Sequence, residues 1–118
     1  MRFQFTVEGQ PPSVNHMYAR TRTGGVRKAD GVESYQTGIT HIVRTTRPVH
    51  FVLPENVYIH IHYAFYLKRD IDCDNLLKAL NDAIAIGLGV NDKWFLPCVE
   101  FKAIKQKEPH VFVTVEYP

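Results

Sequence analysis

Residues 56–67 constrain the fold more than any other stretch. Val57, Ile59, Ile61, Tyr63, Phe65 and Leu67 alternate with Tyr58, His60, His62, Ala64 and Tyr66, which is the period-two signature of a β-strand. Both sets carry bulky apolar or aromatic groups. One face of such a strand must meet the core, and the other is too aromatic for a bare surface, so a helix or a second subunit is expected to cover it. The strand then runs directly into Lys68-Arg69-Asp70-Ile71-Asp72-Cys73-Asp74-Asn75-Leu76-Leu77-Lys78.

The remaining elements can be read around this strand. Phe3, Phe5 and Val7 alternate with Gln4, Thr6 and Glu8, predicting a first strand from Arg2 to Glu8. Pro11 and Pro12 remove backbone donors and stop it, and residues 21–28, with Gly24 and Gly25, read as a mobile loop or hairpin tip. Tyr35, Ile39, Ile42 and Val43 recur at helical spacing over residues 33–45, interrupted by Gly38 and closed by Pro48. A second helix is expected over residues 73–86 from Leu76, Leu77, Leu80, Ala83 and Ile84, with Gly87 and Gly89 as its stop. Val99, Phe101 and Ala103, then Val111, Val113 and Val115, form two alternating runs joined by residues 105–110, and they read as a hairpin.

This order predicts an α+β fold: a single domain over residues 1–118, with a mixed or antiparallel sheet and two main helices on one face. A chain of 118 residues can bury a sufficient core without disulfides. Cys73 and Cys98 lack CxxC spacing and are expected as reduced thiols. No apolar run approaches the ~18 residues of a membrane span, and the N-terminus alternates like a strand instead of forming a signal peptide. The expectation is a soluble, cytoplasmic protein with no membrane partner.

Chemistry concentrates at Asp70, Asp72 and Asp74. Unit charges ~4 Å apart interact by about 4 kcal/mol at an effective dielectric near 20, so three neighbouring carboxylates call for a cation. Hard divalent ions such as Mg²⁺ or Ca²⁺ prefer all-oxygen ligands. An EF-hand is excluded because its sixth position is Asn75, its twelfth is Asn81, and a strand precedes it. Asp74 alone could be a helix N-cap, which does not explain three acids. Asp74, Lys78 and Asp82 share one helical stripe. They form either a surface ion-pair ladder or a site in which the Lys78 ammonium faces developing phosphate charge. Asp92 follows the helix in a turn, where a lone aspartate is most often structural.

Net charge is only +2, yet Arg20, Arg22, Arg27 and Lys28 fall in a segment free of acids. With Arg69, Lys93 and Lys102 this arm reads as a phosphate-binding surface, or else as a solvated loop. His60 and His62 share a strand face but have no third nitrogen or sulfur ligand at the usual spacing, so they read as structural or interface histidines and not as a zinc pair.

The run from Arg69 through Ala83, followed by Gly89-Val90-Asn91-Asp92, resembles the RusA family of Holliday junction resolvases. The family pattern D-x-D-N-x-x-K-x-x-x-D-A, with an aspartate in the turn after the helix, falls on Asp72, Asp74, Asn75, Lys78, Asp82 and Asp92. Pro11-Pro12-Ser13-Val14-Asn15-His16 and the basic segment after it also look like the family's opening. The resemblance implies a homodimer that uses Mg²⁺, with Mn²⁺ as a substitute, to nick two symmetry-related strands of a four-way DNA junction in recombination and repair, leaving 5′-phosphates. No organic cofactor is expected. It further implies that Asp72, Asp74 and Asp92 bind metal and that Lys78 is catalytic. Asn15, Arg20, Arg22, Arg27, Lys28 and Arg69 are the expected DNA contacts. Asp70 is an extra carboxylate that could shift the ligand set toward Asp70 and Asp72. The turn carries Asn91-Asp92 where relatives often have two acids. Two alternatives stand beside this reading: a nuclease for other branched or flapped DNA, and a non-catalytic, metal-dependent DNA-binding module.

Overall fold

The computed structural model describes residues 1–53 and 55–118. Strand β1 (Arg2–Glu8) is followed by a short hairpin of β2 (Tyr18–Arg20) and β3 (Val26–Lys28), then helix α1 (Val32–Thr46), strand β4 (Ile59–Tyr66), helix α2 (Leu77–Leu88), and strands β5 (Phe95–Ala103) and β6 (His110–Glu116). The main sheet has the order β1-β6-β4-β5. β6 is antiparallel to both β1 and β4, whereas β4 and β5 run parallel.

Strand β1 has the expected bounds, with Phe3, Phe5 and Val7 buried and the residues between them exposed. In the register Phe3 faces Val115, Phe5 faces Val113 and Val7 faces Val111, so one apolar stripe continues across the sheet. Ile59, Ile61, Tyr63 and Phe65 extend it along β4, and Ile39, Val43, Leu80, Ala83 and Ile84 close over it from the helices. Each Val, Leu, Ile or Phe among them contributes roughly 1.5–3 kcal/mol by leaving water.

The expected β5–β6 hairpin does not form. β4 lies between the two strands. A strand apolar on both faces takes an internal place with a neighbour on each side, and β5, whose Pro97 has no N–H to donate, takes the edge. The crossover is pinned at Leu67, whose N–H donates to Ala103 O (2.8 Å) and whose carbonyl accepts from Gln106 N (2.9 Å). β4 itself is shorter than residues 56–67. The second helix also differs from expectation, because residues 73–76 form a 3₁₀ turn before α2 begins.

The helices pack closely. Gln36 Nε2 donates to Ala79 O (3.1 Å) and Thr40 Oγ1 to Ala83 O (3.0 Å). A Cβ on Gly87 would lie 2.7 Å from Val43 Cβ, so a side chain there would part the two helices. Gly89, at φ +73°, ends α2 with its N–H on the carbonyls of Ala85 and Ile86. The helices cover one face of the sheet. On the other face His60 is exposed, His62, Ala64 and Tyr66 are half-buried, and Leu96, Phe101 and Phe112 are exposed around them.

Candidate active site

The acidic stretch leaves β4 and turns back toward the helices. Ile71 and Cys73 pack against the core while Asp70, Asp72 and Asp74 remain exposed, so carboxylates and packed side chains alternate into the 3₁₀ turn. The capping aspartate is Asp72, not Asp74: its Oδ1 accepts from Asp74 N at 3.1 Å. Its carbonyl accepts from Asn75 N at 3.0 Å. These bonds fix the Asp72 carboxylate and leave its second oxygen free for a cation. Burial pushes the Cys73 thiol up; Lys102 opposes the rise, and the charges of Asp72, Asp74 and Asp70 add to it.

Asp70 differs from the other two. Its Oδ1 meets Lys102 Nζ at 2.7 Å, and this carboxylate raises the lysine above its ordinary 10.5, first through the hydrogen bond. Lys102, read from sequence as a phosphate contact, is engaged in this exposed ion pair. Parallel pairing sets Phe95 beside Ile59, so Asp92, three positions before Phe95, belongs to the starting end of β4. Asp70 follows the other end, and an eight-residue strand spans roughly 25 Å.

One turn into the helical segment, Lys78 Nζ lies 3.2 Å from Asp82 Oδ2. That hydrogen bond is the largest influence raising the ammonium above 10.5. The Asp82 charge follows it, partial desolvation opposes it, and Tyr18 and Asp92 add smaller contributions. Asp92 therefore lies within electrostatic reach of Lys78. It opens the 3₁₀ turn Asp92–Trp94, which is capped by Asn91, whose Oδ1 accepts from Lys93 N at 2.9 Å. Because Asn91 makes the Asx contact, the Asp92 carboxylate is left exposed and without that structural duty.

Asp72, Asp74 and Asp92 are unpaired with any basic side chain among the described residues. As hard oxygen donors they fit a divalent ion such as Mg²⁺ in kind. Their carboxylates do not, however, all lie within 4.8 Å of one another. Among the described residues, the group of His, Cys, Asp or Glu side chains that does is His62, Cys98 and Glu100. This group escapes a reading of local spacing because its members meet across the β4–β5 ladder. His and Cys at alternating strand positions are the only signal of it in the sequence.

A cleft beside the acidic turn is lined by Gln10, Asn15, Arg69, Asp70 and Asn75. Gln10 Oε1 anchors it by accepting from Lys68 N at 2.9 Å. It brings together Asn15 and Arg69, two of the expected DNA contacts. The other four, Arg20, Arg22, Arg27 and Lys28, are exposed on the β2–β3 hairpin. The hairpin is held at its base by Met17, packed with Val32 and Ala79, and by Ala29 N donating to Met17 O at 2.7 Å. Arg27 pairs with Asp30 at 3.2 Å and the Lys28 ammonium donates to Gln36, so Arg20 and Arg22 are the cations of this arm with neither an ion pair nor a side-chain hydrogen bond among the described residues. Lys93 lies over the Trp94 ring, 5.2 Å from its centroid.

Among the described residues, no helix is long and apolar enough to cross a membrane. Comparison with curated proteins gives no match. The family model of endodeoxyribonuclease RusA matches residues 8–116, a span that takes in the proline-rich opening, the basic hairpin, the acidic turn with Lys78, and Asp92. The chain belongs to the RusA endodeoxyribonuclease family, the crossover-junction nucleases of DNA recombination.

Proposed function

We propose that this protein resolves Holliday junctions as a Mg²⁺-dependent homodimer, with each subunit nicking one of two symmetry-related strands. The observation that carries the reading is the set of exposed, unpaired aspartates at the entry to α2, beside Lys78, in a chain of this family. Asp72 and Asp74 are the ligands assigned to Mg²⁺, with Mn²⁺ as a substitute, and Asp92, which follows the far end of α2 within electrostatic reach of Lys78, is assigned to the same centre without a ligand contact. When bound, the ion supplies charge neutralisation of the phosphodiester and acidifies an attacking water.

The protein's own groups do the rest. Asp72, fixed by its capping bond, holds a carboxylate at the turn. Lys78, held by Asp82 at 3.2 Å, stabilises charge developing on the phosphate, a contribution worth more as water is excluded. Asn15, Arg69 and the hairpin cations hold the DNA backbone, whose affinity is set largely by phosphate neutralisation. Asp70, already paired with Lys102, stands outside the ligand set.

Two active sites on opposing strands require two subunits, and the uncovered sheet face around Phe101 and Phe112 is the surface assigned to their contact. Cleavage mapping on fixed and mobile four-way junctions, with linear duplex and flap controls, tests the reading. Paired nicks at symmetric positions in the junction alone are expected. Preferential cutting of flaps would move the protein to the class of general branched-DNA nucleases.

A further inference from the structure

The group on the uncovered sheet face is chemically unlike the acidic site. His62 and Cys98 stand directly opposite each other across the parallel β4–β5 ladder. Between Tyr63 and Ala64 the register shifts, so that Val99 and Phe101 oppose consecutive residues of β4 and Glu100 is the extra residue of a bulge. Bulges turn an additional side chain toward a site that regular pairing would not supply. Here the bulge brings Glu100 Oε1 to 2.6 Å from His62 Nδ1, and Glu116 Oε1 of β6 lies 3.5 Å from Nε2 on the other side of the ring. Both ring nitrogens are shielded from solvent, yet neither has a partner in hydrogen-bond geometry among the described residues.

We propose that His62, Cys98 and Glu100 form a zinc site separate from the nuclease centre. One ligand atom from each already lies within 4.8 Å of the others. A tetrahedral zinc ion with Zn–N near 2.0 Å and Zn–S near 2.3 Å needs donors about 3.3–3.8 Å apart. Rotation of the exposed Cys98 and Glu100 side chains covers the difference. A thiolate and an imidazole select zinc over Mg²⁺ or Ca²⁺, which prefer oxygen donors throughout. Nδ1 of His62 faces the ion with Glu100, and the Glu116 carboxylate, 3.5 Å from Nε2, stands on the side of the ring from which an outer carboxylate fixes a metal ligand's tautomer. Cys98 binds as the thiolate and gives its proton to solvent, and water completes the fourth position. The ion ties edge strand β5 to β4 and, through Glu116, to β6. The site lies on the sheet face assigned above to the subunit contact, but it does not depend on the nuclease chemistry of the aspartates.

The full chain, reduced and held in excess Mg²⁺ to occupy the aspartates, is titrated with Co²⁺ and then Zn²⁺. The expected result is a thiolate-to-Co²⁺ charge-transfer band saturating at one ion per chain and abolished by Zn²⁺, with a higher melting temperature in the zinc form. The band should persist in Cys73→Ser and in Asp72→Asn and vanish in Cys98→Ser. His62→Gln should weaken binding by roughly a hundredfold or more, beyond the effect of losing an outer contact. A wild-type protein without the band, or a band that survives Cys98→Ser, would overturn the proposal.

Discussion

Lys102 Nζ holds Asp70 Oδ1 at 2.7 Å, and this pairing separates Asp70 from the two aspartates that follow it in the same acidic run. A carboxylate already neutralised by a lysine is a poor competitor for a divalent ion, because binding the ion means first giving up the lysine. Asp70→Asn should therefore nick a four-way junction within a few-fold of the wild-type rate, whereas Asp72→Asn should lose roughly a hundredfold or more. Initial rates at saturating Mg²⁺ measure both. Equal losses in the two variants would return Asp70 to the ligand set.

Lys78→Ala should bind junction DNA normally and nick it ~10²–10³-fold more slowly, the usual loss when one charge-stabilising donor is removed. Full activity in this variant would reduce Lys78 to a helix ion pair. Single-turnover rates alongside gel-shift affinities separate chemistry from binding.

The same ammonium makes a pH prediction. Its pKa is raised in the folded state, first by the Asp82 hydrogen bond and then by the Asp82 charge. The pair's stabilisation is therefore complete below the ordinary lysine value of 10.5 and is lost as pH rises through the raised value. Lys78 is 47% exposed and Asp82 half-buried, so solvent screening limits the pair to about 0.3–0.5 kcal/mol. Urea denaturation of Asp82→Asn should show that deficit at neutral pH and converge with wild type in strongly alkaline buffer.

Gly87→Ala tests the helix pair that carries Lys78 and Asp82. Alanine gains about 1 kcal/mol of helix propensity, but its Cβ would sit 2.7 Å from Val43 Cβ and 3.2 Å from Thr40 O. Overpacking of this kind costs typically about 1–3 kcal/mol, and with backbone on one side the clash outweighs the propensity. A lower melting temperature is expected, with the junction-cleavage rate preserved below the transition.

Replacing Arg20 and Arg22 together with alanine should flatten the salt dependence of junction binding. Each phosphate that the protein no longer neutralises takes ~0.9 off the slope of log affinity against log salt concentration. An unchanged slope would mark the hairpin as a solvated loop.

Local features are legible in the sequence, and features made by pairing at a distance are not. The alternation in residues 2–8 matches the observed bounds of β1 because Gly9 and the prolines end it sharply. The helical spacing around Leu80, Ala83 and Ile84 marks α2, but it predicts too early a start, because the Asp72 cap winds residues 73–76 into a tighter 3₁₀ turn. Strand order is beyond its reach. β5 and β6 both alternate, and only β4's need for two neighbours decides that it separates them. The Lys102–Asp70 pair and the His62–Cys98–Glu100 group follow from that same pairing, so neither can be seen in the spacing of residues along the chain. The acidic run and Lys78 are legible because their chemistry is contiguous in sequence.

The most direct test is strand nicking of a synthetic four-way junction by Asp72→Asn and Asp74→Asn, each assayed with and without Mg²⁺ beside a binding measurement on the same preparation. The account predicts Mg²⁺-dependent paired nicks from the wild type, and variants that still fold and bind the junction but no longer cut it. Variants that cut at the wild-type rate, or that lose folding and binding together with cleavage, would contradict the assignment of these aspartates to the catalytic metal.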